Sequence, residues 1–210
     1  MRSTRFDAVL FDFSGVMVSS AFDALARLGA ASERERTLEL LLGPYHQDTD
    51  HPWHRVERGE LSIEAWLTEV SATATSEKVE IDWSILGSLL ANLEPFPQME
   101  AEARRLRDEG YRVGLVTNNV KEGSAAWRTL LPVEELFEVV VDSCEVGMRK
   151  PDPRIYLLAL ERIGGIAPER AVFLDDAPGN VAGAEAAGMA AILVADPDDA
   201  IEELHRLLAT

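Results

Sequence analysis

The 210-residue chain has one cysteine, Cys144. An internal disulfide is excluded, and a reducing, cytoplasmic setting is the expectation. Lysine and arginine form no block: 20 basic residues face 37 acidic ones, for a formal charge of −17. A nucleic-acid backbone or an anionic membrane surface would meet repulsion. No apolar run approaches the roughly 20 residues a helix needs to span a bilayer. The start, MRSTRFDAVLFDF, has two arginines before an apolar stretch, but Asp7 and Asp12 interrupt it and no small-residue cleavage pattern follows. No signal peptide is expected. Internal repeats and low-complexity tracts are also missing. What remains is 47% hydrophobic, enough for one core with a modest insert and too little for two large domains.

Four short apolar runs have the length and composition of buried parallel strands: AVLFDF at 8–13, RVGLVTNN at 112–119, EVVVDS at 138–143 and AVFLDD at 171–176. AAILVAD at 190–196 makes a fifth. Between them, residues 100–110, 153–164, 180–188 and 198–208 repeat apolar positions at helical spacing, several closing at glycine. This alternation predicts an α/β fold with a doubly wound, Rossmann-like parallel sheet. Residues 19–93 break the pattern: they read as helical, with no convincing strand, and GELSIEAWLTEV at 59–70 carries a start signal at Ser62. We expect an α/β core of residues 1–18 and 94–210 and a small all-helical cap of residues 19–93, with Pro95 and Pro97 at the return.

In an open parallel sheet, ligands meet residues from the carboxyl ends of several strands. Those ends supply Asp12 with Ser14, Thr117 with Asn118, and Asp175 with Asp176, while the loop GMRKPDPR adds Lys150. A strand-end acid, a metal-competent acid pair, a hydroxyl–amide end and a lysine form one coherent chemical set.

These motifs, in this order and with a helical insert after the first strand, resemble the haloacid dehalogenase superfamily of hydrolases. VTNN, GMRKPDPRIY and FLDDAPGNV resemble its helical-cap branch, which includes the amino-terminal phosphatase domain of soluble epoxide hydrolases and bacterial sugar 1-phosphate phosphatases. The resemblance implies Asp12 as a nucleophile that forms an aspartyl-phosphate. It implies Mg²⁺ held by Asp12, the Ser14 carbonyl, Asp175 and Asp176, since a hard cation takes oxygen ligands, with Asn180 behind them. Lys150, Thr117 and Asn118 would bind the phosphoryl oxygens. The partner is then a small phosphorylated metabolite, and no oligomeric state is implied.

One further thing is lacking. Phosphatases of this superfamily carry an aspartate two residues after the nucleophile to protonate the leaving oxygen, and here that position is Ser14. Without a substitute, proton transfer should slow by roughly 10²–10⁴-fold. The cap segment PYHQDTDHPWHRVERG at 44–59 offers His54 as a replacement acid, since its ordinary pKa lies near working pH. Trp53 and Arg58 in the same segment are the candidate substrate-selecting residues. Two alternatives stand beside the phosphatase reading: a dehalogenase in which Asp12 attacks carbon, and a phosphate-binding regulatory protein with little turnover.

Overall fold

The computed structural model describes residues 5–20, 33–83 and 93–209. Five strands form one parallel sheet: β1 (Ala8–Phe11), β2 (Arg112–Thr117), β3 (Val139–Asp142), β4 (Ala171–Asp175) and β5 (Ala190–Leu193), in the order β3-β2-β1-β4-β5. The order reverses beside β1, between β2 and β4, which is where an open α/β sheet opens a crevice. Each strand is shorter at its carboxyl end than the apolar run predicts. The final residues of each run, Asp12, Asn118 and Asp176 among them, leave the ladder for the loops that build the site.

Side chains alternate across the sheet with the strand period of two. Val9 and Phe11 join Met99, Leu106 and Leu204 on one face, packed by α4 (Pro97–Asp108) and α10 (Pro197–Leu208). Ala8 and Leu10 join Tyr156, Leu160 and Ala184 on the other, packed by α8 (Pro153–Arg162) and α9 (Pro178–Ala186). All four helices begin at proline, whose fixed φ and missing N–H suit the first helical position. Three of them start one to three residues earlier than apolar spacing predicts, and α8 starts at Pro153 as predicted. Three shorter helices connect the strands: α5 (Ser124–Trp127), α6 (Val133–Leu136) and α7 (Ser143–Val146).

The insert between β1 and β2 contains α1 (Arg34–Leu42), α2 (Pro52–Glu57) and α3 (Ile63–Glu77). Its described part has no strand, as expected. Residues 21–32 and 84–92, also read as helical cap, lie outside the described residues. Ser62 caps α3 by accepting the Ala65 N–H at 3.2 Å, and Lys78 closes the helix in the left-handed region. The cap has its own core, where Leu41, Leu42, Val56 and Val70 surround Trp66, whose indole donates to the Leu41 carbonyl at 3.2 Å. Trp53 and Trp83 meet Trp66 edge-on, with ring centres 5.0 and 6.2 Å away. The two connections to the core run side by side: the Ser19 N–H donates to the Glu94 carbonyl at 2.8 Å and the Phe96 N–H to the Met17 carbonyl at 2.9 Å.

Removing the indole that three parts of the cap share should leave a cavity. Trp66→Ala is expected to lower stability by about 3–5 kcal/mol in urea unfolding. A loss below about 1 kcal/mol would show that the cap core contributes little to the folded state.

Candidate active site

Asp12 follows β1 and leaves the sheet with its backbone N–H still bonded to the Leu174 carbonyl at 2.9 Å. Its Oδ1 accepts the Phe13 N–H at 2.6 Å, which orients the carboxylate. Lys150 reaches it from the loop before α8, with Nζ 2.6 Å from Asp12 Oδ1 and 2.7 Å from Asp175 Oδ2. Both Lys150 and Asp175 are fully buried. Asp175 is held further by the Ala177 N–H at 2.8 Å and by Asn180 Nδ2 at 3.0 and 3.1 Å. Asn180 therefore fixes the orientation of the Asp175 carboxylate.

Asp176 completes the cluster: one oxygen from each of Asp12, Asp175 and Asp176 lies within 4.8 Å of the others. Ser20, where the chain departs for the cap, donates to Asp176 Oδ2 at 3.3 Å. Gly15 makes this geometry possible. Its φ is +85°, and a Cβ there would lie 1.9 Å from Asp176 Oδ2. Only glycine lets the turn after β1 pass so close to that carboxylate. Ser14 is half-buried in the same turn, bridged to Val18.

The carboxyl end of β2 is braced rather than loose. Asn118 clasps the Lys150 backbone with both ends of its carboxamide: Oδ1 accepts the Lys150 N–H at 2.8 Å and Nδ2 donates to the Lys150 carbonyl at 3.0 Å. The buried Thr117 hydroxyl accepts from Asn119 Nδ2 at 3.0 Å. The family resemblance put Asn118 among the phosphoryl-binding groups, and this clasp of Lys150 by its side chain carried no signal in the sequence. The acid at the end of β3, Asp142, is spent on structure, accepting from the Cys144 N–H and the Trp127 indole, each at 3.3 Å.

Electrostatically the cluster has too little positive charge. Burial pushes the Asp12 carboxyl well above the usual range; Lys150 pulls it back, and Asp175 and Asp176 push it up again. Burial would lower the Lys150 ammonium, but Asp12 and Asp175 outweigh it and hold the group charged. Asp176 is pushed up to about 6, by burial and then by Asp175. Three carboxylates against one ammonium leave a deficit that a divalent cation would fill, and an all-oxygen donor set suits a hard one. These residues fit a Mg²⁺-type ion by charge, donor chemistry and spacing.

In the cap, His54 is not the acid that its position suggests. It is fully buried, and its Nδ1 accepts the Thr49 N–H at 3.0 Å. Burial, then Arg149, His51 and Arg58, push its pKa down to about 3. A neutral imidazole locked in this way has no proton to give near neutral pH. Arg58 is engaged inside the cap by Asp48 at 2.5 Å, Glu60 at 2.8 Å and the Thr49 carbonyl at 2.8 Å. Trp53 packs in the cap core. Contacts that the sequence did not suggest come from Arg149, fully buried beside Lys150, whose Nε donates to Glu57 of α2 at 2.6 Å.

Residues 6–188 match the family described as haloacid dehalogenase-like hydrolase. The chain belongs to that family. This haloacid dehalogenase-like hydrolase is 26% identical to bifunctional epoxide hydrolase 2 of Rattus norvegicus over 95% of its own length and 38% of the rat protein. It is 26% identical to the phosphorylated carbohydrates phosphatase of Thermotoga maritima, over 87% of this chain and 82% of that one. Its backbone superposes on that of a family enzyme from Bacteroides thetaiotaomicron in magnesium complex with a TM-score of 0.61 at 19% identity, covering 90% and 93% of the two chains. The chain spans well under half the length of the first curated relatives it matches. None of the helices among the described residues is long and apolar enough to cross a membrane.

The charge deficit predicts a pH signature. A carboxyl whose folded pKa is raised binds more protons folded than unfolded, so its contribution to stability falls as pH rises through the interval. For Asp176 that interval runs from about 4 to about 6. In metal-free buffer, Asp176→Asn should match wild type near pH 4 and exceed it by up to about 3 kcal/mol at pH 7. Equal stability at both pH values would show that the cluster is not crowded with negative charge.

Proposed function

We propose that this hydrolase cleaves phosphate monoesters of a small metabolite, with Asp12 as the nucleophile. The observation that carries the reading is the buried Lys150 ammonium shared between Asp12 and Asp175, with Asp176 alongside. The phosphatase named above supports the substrate class. Asp12 attacks phosphorus, the alcohol departs, and an aspartyl-phosphate remains; water then hydrolyses it, releasing inorganic phosphate and restoring the carboxylate. Two anions must approach each other in the first step, so positive charge has to be in place beforehand.

Lys150 supplies one such charge and keeps the Asp12 carboxylate oriented. Thr117 and the Asn118 backbone N–H would donate to the phosphoryl oxygens as charge spreads onto them. Asp12, Asp176, Asp175 and the Ser14 carbonyl would hold Mg²⁺. When bound, the ion offsets carboxylate repulsion and the negative charge of the phosphoryl group. Trp53 and Arg58 act on substrate choice through the cap segment they brace, since the core groups recognise only the phosphate.

Ser14 leaves the leaving oxygen without a carboxylic acid donor, and His54 is not its replacement. Substrates whose leaving group is already stable, such as anomeric or acyl phosphates, need that proton least. The same serine favours a second reading, a phosphate-binding protein with little turnover. A dehalogenase is disfavoured because a cation-binding carboxylate cluster offers no advantage against a neutral carbon bearing its own carboxylate.

Phosphate release with Mg²⁺ across a panel of phosphate esters tests the proposal. Asp12→Asn should abolish turnover, because an amide is a poor nucleophile toward phosphorus; full activity in the folded variant would remove Asp12 from the mechanism. Ser14→Asp should raise turnover of alkyl phosphates by roughly 10²-fold or more and leave aryl or anomeric phosphates little changed. A uniform loss would mean that the pocket is built around serine. Phosphate-analogue binding without turnover of any ester would favour the second reading.

A further inference from the structure

We propose that Glu57, acting through the buried Arg149 guanidinium, is a positioning residue that couples the seating of the cap to the placement of Lys150; this rests on the phosphatase reading. Arg149 belongs to the core loop before α8, yet among the described residues the hydrogen bonds and ion pairs of its guanidinium are all with the cap. Nε donates to Glu57 Oε2 at 2.6 Å, Nη1 donates to the Gln47 carbonyl at 2.7 Å, and the guanidinium lies 5.2 Å from the centre of the Tyr45 ring. Nη2 is buried with no hydrogen-bond partner among the described residues. One core side chain thus gathers the end of α2 and two positions of the loop before it.

The next residue is Lys150. Arg149 and Lys150 share a planar peptide, so a displacement of one backbone carries the other. That peptide is gripped from two sides: Asn118 clasps the Lys150 backbone, and the cap holds the Arg149 side chain. At the far end, Nζ must sit between Asp12 and Asp175 with both distances below 3 Å. A shift of about 1 Å in such a group is enough to cost on the order of 10²-fold in rate.

Charge makes Glu57 the sensitive partner. Two other polar contacts between cap and core, Lys121 Nζ to the Gly59 carbonyl at 2.7 Å and the Ile63 N–H to Glu122 at 3.0 Å, are exposed. Solvent can replace either at little cost. Arg149 with Glu57 is the fully desolvated charge pair between cap and core among the described residues. Without the carboxylate, the guanidinium keeps the Gln47 carbonyl and the more distant, partly exposed Asp48 Oδ1 at 4.0 Å, and the buried charge shifts toward that side and toward water, taking its loop with it. With the carboxylate in place, the loop is held only while the cap is seated.

Glu57→Gln keeps the shape and removes the charge. With Mg²⁺ and a small generic ester such as p-nitrophenyl phosphate, we expect kcat to fall about tenfold or more while KM changes less than about threefold, because the damaged step is the chemical one. Glu57→Asp should recover part of the loss. Independently of activity, the Lys150 ammonium can be followed by NMR in protein carrying ¹⁵N-labelled lysine, and its hydrogen exchange should quicken by about tenfold or more in Glu57→Gln. Should that variant fail to fold, the double variant Glu57→Gln with Arg149→Met removes both buried charges at once and should show the same loosening at Lys150. Wild-type exchange and wild-type kcat in either folded variant overturn the coupling. Wild type that hydrolyses no ester overturns the phosphatase reading instead, and the lysine exchange still decides whether Glu57 positions Lys150.

Discussion

The ammonium of Lys150, buried between two carboxylates, is the interaction on which the site depends. Two like charges about 5 Å apart repel by roughly 3 kcal/mol at an effective dielectric near 20, so three clustered aspartates could not share a dry strand edge unaided. Lys150 relieves Asp12 and Asp175 directly, at 2.6 and 2.7 Å. Asp176 stays under-compensated, and its carboxyl is pushed up to about 6. The incomplete compensation leaves a shortage of positive charge that a bound cation would relieve.

Much of the surrounding structure serves to hold that lysine in place. Its backbone is clasped by Asn118 from the end of β2, Asp175 is fixed by Asn180 and the Ala177 N–H, and Arg149 anchors the preceding residue to the cap. Gly15 lets the turn after β1 pass against Asp176, where any Cβ would collide. The neighbouring strand end shows the contrast. Asp142 has the same apparent opportunity, but it caps α7 and takes the Trp127 indole, so it adds stability and no chemistry.

The cap separates two tasks that the sequence leaves mixed. Its histidine- and arginine-bearing segment looks like a source of acid groups, yet His54 is buried and neutral and Arg58 is tied up by Asp48 and Glu60. These side chains hold the segment's shape. The histidine that seemed best placed to give a proton near position 14 is therefore built into the cap instead.

The strands and the acids at their ends were legible in the sequence, because a short apolar run followed by Asp or Asn is a local pattern governed by burial and strand period, whereas their order in the sheet came from the structure. The helical insert was legible by the same periodicity, although the core helices starting at Pro97, Pro178 and Pro197 begin one to three residues before the predicted starts. What the sequence could not determine was which polar side chains face the cluster and which face away. His54, Arg58, Glu57 and Arg149 are all charged or titratable residues of similar prominence, and spacing along the chain does not separate them. Only tertiary packing did so, because it set the local dielectric and the partner at each position: it neutralised His54, spent Arg58 within the cap, and brought Glu57 to Arg149 across 92 residues of sequence.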